Sequence, residues 1–423
     1  MLRRIAPITL ALLIGLVAPG HAAHQNRHQV IASLRACEGI AKCDAVAKRI
    51  YDEAFAKNEP VIELVTMGIG ALIWERHGHI ALCVRYADPG DDVCYNYGIG
   101  DFQNPASMGW GFFRGTKSFW AGEQTVLDLM NIYAGRDRTV WAQPIPLTLE
   151  QKTKVIAKLH SDILEDNRYY AYDHFFDNCT TRVRDILDDN SGKALSSMTE
   201  ETDGKTFRDL ARDGFYGMRI PLLITDIAMG RITDRVPSYW ERMFLPQYLR
   251  EAVQKKWGIE PIVLYQRVGD PPLDDGPSGR WLFALVILAA TAPAWIARWF
   301  GRFQRLGMAF AILPPVLLGT VLWFLAIISP LGYVMWNESC LVFFPFDLAL
   351  LVLSPARRRI YARGRVAMLG LIGVLMVIGV FKQPLFAPLL WPLIPAAVVG
   401  FWPAHWTRKR AEPAKPAKPA KKR

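Results

Sequence analysis

The spacing of hydrophobic residues divides the chain into two parts. Before residue 280, short apolar runs alternate with polar residues and with helical patterns, which is typical of an α+β domain. After it, five long apolar segments follow one another, at about 281–297, 307–329, 339–354, 366–381 and 384–402. Several approach the roughly 20 residues that a helix needs to cross a bilayer. The pattern predicts an α+β domain followed by an all-α bundle of about five transmembrane helices.

The start of the chain has the pattern of a secretory signal peptide. Arg3 and Arg4 precede a short apolar run that ends at Val17, and small residues follow. Because the run is short, we favour cleavage near Ala22 or Ala23 over an uncleaved anchor. The predicted regions are a signal peptide 1–23, an extracytoplasmic domain 24–257, a proline-rich linker 258–280, a transmembrane module 281–404 and a basic tail 405–423.

Positive charge indicates the orientation in the membrane. The formal net charge is +11, and basic residues cluster after the first, third and fifth apolar segments. Loops rich in arginine and lysine stay in the cytoplasm, so the pattern predicts a cytoplasmic C-terminus and places residues 24–280 outside. The basic balance is therefore a signal of membrane topology, and no nucleic-acid partner is expected. The tail after Ala411 is expected to lie against anionic lipid.

A β-hairpin is predicted between His79 and Gly98. Apolar and β-branched residues run from His79 to Tyr86, a turn-forming segment follows at 87–92, and a second strand begins at Val93. A register symmetric about the turn pairs Cys83 with Cys94, Ala81 with Asn96 and His79 with Gly98. Residues of one parity share a face, so Asn96 would lie diagonal to His79 and orient its imidazole.

Cys179 lies at the start of a predicted helix. Either Asp177 or Asn178 can cap this helix. Free backbone N–H groups and the helix dipole favour an anion in the first turn, so we expect a lowered pKa for the Cys179 thiol. A nucleophile, a base and an orienting amide form a catalytic triad, and the candidates are Cys179, His79 and Asn96. The alternatives are an inert buried cysteine and a structural histidine.

The six cysteines fit an oxidising compartment. Cys37 and Cys43 are close in sequence, and Cys83 and Cys94 face each other in the predicted hairpin. If both pairs are disulfides, Cys179 is the unpaired extracytoplasmic thiol. The sequence contains no Walker, dinucleotide-binding or His-Glu-x-x-His pattern, so we expect neither a nucleotide cofactor nor a metal.

Two further stretches concern the membrane. The aromatic, glycine-rich segment 100–145 either packs as core or forms the wall of a groove for acyl chains. Glu338 and Asp347 lie in or near the third apolar segment, as does Cys340. A charge inside a span is costly and tends to be functional, so Asp347 is expected either in the bundle interior or at the interface.

This order of motifs resembles the Lnb-type lipoprotein N-acyltransferases. The similarity is carried by Gly78-His79, by Tyr95-Asn96-Tyr97-Gly98 and by Asp177-Asn178-Cys179-Thr180-Thr181. It extends through Gly115 to the segment Asn337–Pro345, where Glu338-Ser339-Cys340 depart from the family's pattern. The periplasmic domain of that family is similar to circularly permuted NlpC-type cysteine peptidases and to the lecithin:retinol acyltransferases. The resemblance therefore implies a permuted papain-like domain.

The resemblance also implies a membrane-anchored cysteine acyltransferase of the bacterial inner membrane. It would move an acyl chain from a phospholipid to the N-terminal amine of a diacylglyceryl-cysteine lipoprotein, through an acyl-thioester on Cys179. The alternatives are a hydrolase with the same Cys–His pair, either a phospholipase or an NlpC-like cell-wall amidase, and a non-catalytic membrane receptor. The dyad alone does not separate transfer from hydrolysis, because the acceptor is not part of it.

Overall fold

The computed structural model describes residues 44–272 and 280–403. The predicted signal peptide, the predicted Cys37–Cys43 disulfide and the whole predicted basic tail 405–423 lie outside the described residues. We refer to residues 44–272 as the sheet domain and to residues 280–403 as the helical module.

One antiparallel sheet of seven strands forms the centre of the sheet domain. The strands are β1 Val61–Met67, β2 His79–Arg85, β3 Val93–Ile99, β4 Phe119–Thr125, β5 Val140–Pro144, β6 Tyr169–Tyr170 and β7 Ile262–Tyr265. Their order across the sheet is β6-β4-β3-β2-β1-β5-β7, so β2 lies at the middle.

Helices surround this sheet and then form the second part of the chain, which confirms the α+β class. The sheet domain contains α1 Ala45–Ala56, α2 Pro105–Arg114, α3 Val126–Gly135, α4 Leu149–Asp162, α5 Cys179–Asn190, α6 Phe207–Asp213, α7 Arg219–Ala228, α8 Tyr239–Arg242 and α9 Pro246–Trp257. The helical module contains α10 Arg280–Phe300, α11 Gln304–Ile328, α12 Gly332–Met335, α13 Ser339–Val342, α14 Ala349–Val352, α15 Pro355–Val377 and α16 Phe386–Phe401.

Strand β2 is buried on both faces because helices cover each side of the sheet. Ile80 and Leu82 point into a core shared with α4, α5 and α9. The alternate residues Ala81 and Cys83 point into a second core shared with α1 and α3. Side chains of an extended strand alternate in this way. The helix that begins at Cys179 therefore packs on the Ile80 face of the sheet.

The predicted register of the hairpin is confirmed for its inner pairs. Ala81 lies opposite Asn96, and Cys83 lies opposite Cys94. A disulfide joins these two cysteines, as the facing positions predicted. The turn at 87–92 contains a short 3-10 helix, Pro89–Asp91.

The two strands of the hairpin separate next to His79. The predicted pair His79–Gly98 is not part of the β2–β3 ladder, which ends at Ala81 and Asn96. Gly98 has φ = 77°, a left-handed conformation that favours glycine, and β3 shifts register against β4 between Asn96 and Ile99. This irregularity turns β3 away from β2 and opens a gap at the end of the hairpin.

Four segments of the helical module are long and apolar enough to cross a membrane, against about five predicted. They are Trp281–Phe300, Gln304–Ile328, Gly332–Val352 and Pro355–Val377. The fifth apolar segment forms α16, which has 16 residues. At 1.5 Å per residue it extends only about 24 Å, less than the roughly 30 Å of a hydrocarbon core.

The third of these segments is interrupted, and a buried ion pair holds it together. Arg365 of α15 donates to the carbonyl oxygens of Leu341 and Val342, where α13 ends. The same guanidinium pairs with Asp347 at 2.8 Å. These bonds satisfy polar groups that an interrupted helix leaves without partners. Asp347 is 5% exposed and lies inside the module, one of its two expected positions.

Aromatic side chains dock the sheet domain on the helical module. Trp110 of α2 stacks on Phe324 of α11 with ring centroids 6.1 Å apart. Phe175 and Phe244 share an apolar cluster with Tyr333 at the start of the third membrane segment. This cluster joins the two parts of the chain through side chains that water cannot reach.

A polar network completes this junction. Asn337 Nδ2 donates to the carbonyl oxygen of Ile227 at the end of α7. Glu338 accepts the N–H groups of Lys382 and Gln383, both at 2.9 Å. Glu338 thereby ties the third membrane segment to the connection between α15 and α16.

We predict that Gly115→Ala weakens the junction more than a matched substitution elsewhere. Gly115 has φ = 60°, and a Cβ there would lie 2.4 Å from Pro330 Cγ. Gly192 has φ = 69°, but nothing lies within 4 Å of its Cβ. The left-handed backbone costs either alanine about 1 kcal/mol. The clash should cost Gly115→Ala about 2 kcal/mol more.

Thermal unfolding of the full chain in detergent measures this difference. Gly192→Ala is the control, because it carries the backbone cost without the clash. Equal losses of stability in the two variants would contradict the close packing of Gly115 on Pro330.

Candidate active site

The side-chain amide of Asn178 fixes the start of α5. It is the N-cap, one of the two residues predicted for that role, and it is 3% exposed. Its four hydrogen bonds join Oδ1 to the N–H groups of Thr180 (2.7 Å) and Thr181 (2.9 Å), and Nδ2 to the carbonyl oxygens of His174 (2.7 Å) and Phe244 (2.9 Å). Four bonds use the full capacity of an amide. The other candidate cap, Asp177, forms a bidentate pair with Arg182 instead.

Cys179 is a free, buried thiol in the first turn of α5. Its Sγ lies 3.8 Å from Thr180 Oγ1. Burial raises the pKa of this thiol, and the lowering effect of Thr180 and of nearby backbone N–H groups, including that of Ile80, is smaller. The expected lowering of the pKa is therefore wrong. The helix geometry is as predicted, but removal from water favours the neutral thiol.

His79 and Asn96 form a hydrogen-bonded pair. His79 Nε2 lies 3.2 Å from Asn96 Oδ1. An amide oxygen only accepts, so Nε2 carries the proton and Nδ1 keeps the lone pair. Burial lowers the pKa of His79 to about 4, the charge of Arg138 lowers it as well, and the bond to Asn96 raises it. The ring of Tyr133 stacks on the imidazole with centroids 6.0 Å apart. His79 is thus a neutral base at physiological pH.

The structure brings the three predicted site residues into one cavity. Its volume is about 880 Å³, and Cys179, His79 and Asn96 all line it. A Cβ at Gly98 would lie 3.5 Å from Cys179 Cβ, so the cysteine occupies the gap where the hairpin strands separate. Asn96 shares the parity of Ala81 and belongs to the opposite face of the sheet from α5.

The sulfur and the imidazole share this cavity without a direct hydrogen bond between them. Among the side chains of residues 44–272, Thr180 is the one that hydrogen-bonds to the Cys179 thiol. Catalytic hydrogen bonds are often long before substrate binds and tighten in the complex. The arrangement therefore suits a nucleophile and a base that act together once a substrate fills the cavity.

The walls of the cavity are largely apolar. The segment 100–145 contributes Phe102, Met108, Phe112, Phe119, Ile132 and Tyr133. The sequence left two roles open for this segment, the wall of a groove or the core. These side chains form a wall of the cavity, whereas Leu129 and Met130 pack in the core. At the mouth, Trp74 and Phe102 stack with centroids 5.3 Å apart and remain about 40% exposed.

Two histidines in the cavity were not predicted. His77 and His174 line it, and their ring centroids are 5.0 Å apart. Burial lowers the pKa of His77 to about 3 and that of His174 to about 4, so both rings are neutral. His174 lies in the loop before Cys179, and only the fold brings it beside His77. No group of three or more His, Cys, Asp or Glu side chains that could hold a metal ion occurs in the described part of the chain.

We predict that Cys179 reacts with iodoacetamide slowly at neutral pH and faster as the pH rises. Only the thiolate reacts, and burial holds the thiol pKa above its ordinary value. The rate should therefore rise about tenfold per pH unit from pH ~6 to ~9. Peptide mass spectrometry identifies the alkylated residue, and Cys179→Ser corrects for other cysteines. A rate that is constant over this range would indicate a preformed thiolate and contradict the prediction.

The comparison with protein families agrees with the resemblance seen in the motifs. Residues 47–212 match the family model described as the Lnb N-terminal periplasmic domain, and this range contains Cys179, His79 and Asn96. Neither the curated proteins nor the solved structures gave a match. With four membrane-capable helices after it, this domain makes the chain a membrane protein with a periplasmic segment. Residues 47–212 are therefore a domain of the Lnb N-terminal periplasmic type.

Proposed function

We propose that the protein is a cysteine acyltransferase that moves an acyl chain from a phospholipid to a lipoprotein. The acceptor is the N-terminal amine of a diacylglyceryl-cysteine, and the intermediate is an acyl-thioester on Cys179. The observation that carries this proposal is one apolar cavity that holds a free cysteine at a capped helix start together with a hydrogen-bonded histidine–asparagine pair. The match of residues 47–212 to the Lnb N-terminal periplasmic domain supports the same reaction class.

In the first half-reaction, Cys179 attacks the ester carbonyl of the donor lipid. His79 Nδ1 takes the thiol proton as the carbon–sulfur bond forms, because Nε2 is already protonated toward Asn96. The tetrahedral intermediate then releases the lysolipid alkoxide, and His79 returns the proton to it. The products are a lysophospholipid and an acyl-thioester on Cys179.

In the second half-reaction, the amine of the acceptor attacks the thioester carbonyl. Neutral His79 accepts the amine proton, and the sulfur leaves as a thiolate that recovers the proton from the imidazolium. The product is an amide, and Cys179 and His79 return to their starting states. A base with a pKa of about 4 is unprotonated at physiological pH, which both half-reactions require.

The apolar cavity supports a lipid substrate over a cell-wall peptide. Phe112 lines the cavity and also packs against the cluster that contains Leu331 and Tyr333 of the helical module. The cavity therefore lies beside the part of the chain that enters the membrane. Water exclusion by these walls favours transfer of the acyl chain over hydrolysis of the thioester.

We further propose the inner membrane as the location, with the sheet domain in the periplasm. The short helix α16 then serves as a fifth crossing and places the C-terminus in the cytoplasm. Clusters of arginine after α10 and at the start of α15 support this orientation. We also propose a permuted papain-like fold for the sheet domain. The proposed boundaries between the regions of the chain follow residues 23, 257, 280 and 404.

A reporter lipoprotein tests the function. It is expressed in cells that lack other N-acyltransferases, with and without this protein, and its N-terminal peptide is analysed by mass spectrometry. Addition of one acyl chain to the amine, only when the protein is present, is the expected result. An unchanged reporter together with release of free fatty acid would favour a phospholipase instead.

Substitution of the site residues should separate their roles. Cys179→Ser and His79→Ala should each lower reporter acylation by about a thousandfold or more, because they remove the nucleophile and the base. Asn96→Ala should lower it by about ten- to a hundredfold, because the imidazole keeps its chemistry but loses its orientation. Thermal unfolding confirms that each variant folds. Wild-type acylation by Cys179→Ser would overturn the mechanism.

The pH dependence of acylation is a separate test of His79. Its pKa of about 4 lies well below the ordinary histidine value, so the base stays unprotonated as the pH falls from 7. We expect kcat/KM for thioester formation to be limited on the acid side only below about pH 5. An acid limb centred near the ordinary histidine value would contradict this burial of His79.

A further inference from the structure

A second cavity lies against the first. It has a volume of about 260 Å³, and it shares His77, Gly78, Leu245 and Pro246 with the cavity of Cys179. These four residues line both spaces, so the two cavities adjoin. Leu245 also belongs to the apolar cluster with Leu331 of the helical module, so the second cavity too lies close to the membrane junction.

Two arginines line this second cavity, and neither has a carboxylate as an ion-pair partner among the described residues. Arg76 is 7% exposed; its Nη1 donates to the carbonyl oxygen of Pro272, and its Nε has no partner in the structure. Arg250 stacks over the ring of Trp141, with its guanidinium carbon 3.9 Å from the ring centroid. A buried guanidinium without a counter-ion is costly, so an anion that enters the cavity is stabilised.

The remaining polar groups of the cavity agree with an anionic ligand. Thr66 is 2% exposed, and its hydroxyl has no hydrogen-bond partner in the structure. Asp213 also lines the space, but Lys205 lies 2.7 Å from its carboxylate and compensates the charge. Burial lowers the pKa of Arg76, and the nearby charge of Arg267 lowers it further, as expected where positive charge is in excess.

We propose that this second cavity binds the phosphate group of the donor phospholipid, held by Arg76, Arg250 and the Thr66 hydroxyl. Guanidinium groups bind phosphate oxygens through paired, charge-assisted hydrogen bonds. The glycerol links phosphate and ester within one molecule, so the phosphate lies in the small cavity between the arginines while the acyl chain fills the large one. The ester then lies near the four shared residues, within reach of Cys179. This assignment rests on the proposed function and locates the site that recognises the phosphate of its donor.

The test compares two donors that differ only in the phosphate. The full-length protein in detergent is incubated with phosphatidylglycerol or with diacylglycerol of the same chains, and acylation of Cys179 is followed by mass spectrometry. The wild type should react about tenfold or more faster with phosphatidylglycerol. Arg76→Gln and Arg250→Gln should each lower the phosphatidylglycerol rate about tenfold and leave the diacylglycerol rate within about twofold.

Arg184→Gln is the matched control. Arg184 stacks over Trp240 at 3.8 Å, as Arg250 does over Trp141, but it lines neither cavity. It should keep the preference for phosphatidylglycerol. If Arg76→Gln does not fold, Arg250→Gln alone decides, because Arg250 is only half-buried. Equal wild-type rates with both donors, or variants that slow both donors equally, would overturn the proposal.

Two further arms separate the source of the phosphate and the proposed function itself. Inorganic phosphate should compete with phosphatidylglycerol and not with diacylglycerol. If inorganic phosphate binds through the arginines but the protein shows no preference between the two donors, the ligand of the cavity is free phosphate and not a phospholipid. Calorimetric titration of dihexanoylphosphatidylglycerol into Cys179→Ser should show binding that Arg250→Gln weakens about tenfold. If that binding occurs but wild-type Cys179 is never acylated, the subsite stands and the transferase function fails.

Discussion

The four hydrogen bonds of the Asn178 amide are the constraint on which the site depends. Two of them close the first turn of α5, and the other two hold the loop at His174 and the start of α9 at Phe244. One buried side chain therefore sets the position of Cys179 relative to two walls of its cavity. Replacing it would leave several buried backbone groups unpaired at once, and each unpaired group is costly.

The site also requires a place in the sheet where regular strand pairing stops. If β2 and β3 remained paired to the end, no space would separate His79 from Gly98, and the cysteine could not enter. The left-handed backbone at Gly98 and the register shift beyond Asn96 provide that space. The cost is burial, which leaves both the thiol and the imidazole neutral before substrate arrives. Proton transfer between them must accompany attack and cannot precede it.

The local features of the site could be predicted from the sequence, and the long-range ones could not. The turn at 87–92 and strand parity fixed the pairing of Cys83 with Cys94, and capping chemistry pointed to Asn178. The end of the ladder at Asn96 was missed, because a single glycine within a strand does not reveal its φ. The direction of the thiol pKa was wrong, because the burial of Cys179 depends on cavity walls such as Tyr133 and Phe244, which are distant from it in sequence.

The same limit explains the helical module and the second cavity. Apolar runs predicted four of the membrane-capable segments and a fifth that is shorter than a span, but not that Arg365 would support an interruption near Asp347. Arg76 and Arg250 are far apart in sequence, and only the fold places both around one space. Both cavities have largely apolar walls, but the smaller one also carries two arginines, as the proposed phosphate site requires.

The acyl-thioester on Cys179 is the central claim, and its direct detection is the most decisive measurement. The full-length protein is incubated with phosphatidylglycerol without an acceptor, and the peptide that contains Cys179 is analysed by mass spectrometry before and after neutral hydroxylamine. We expect this peptide to gain the mass of one acyl chain and to lose it on hydroxylamine treatment, with one lysolipid released per thioester. An unmodified Cys179 in a preparation that nevertheless acylates a lipoprotein amine would contradict the account.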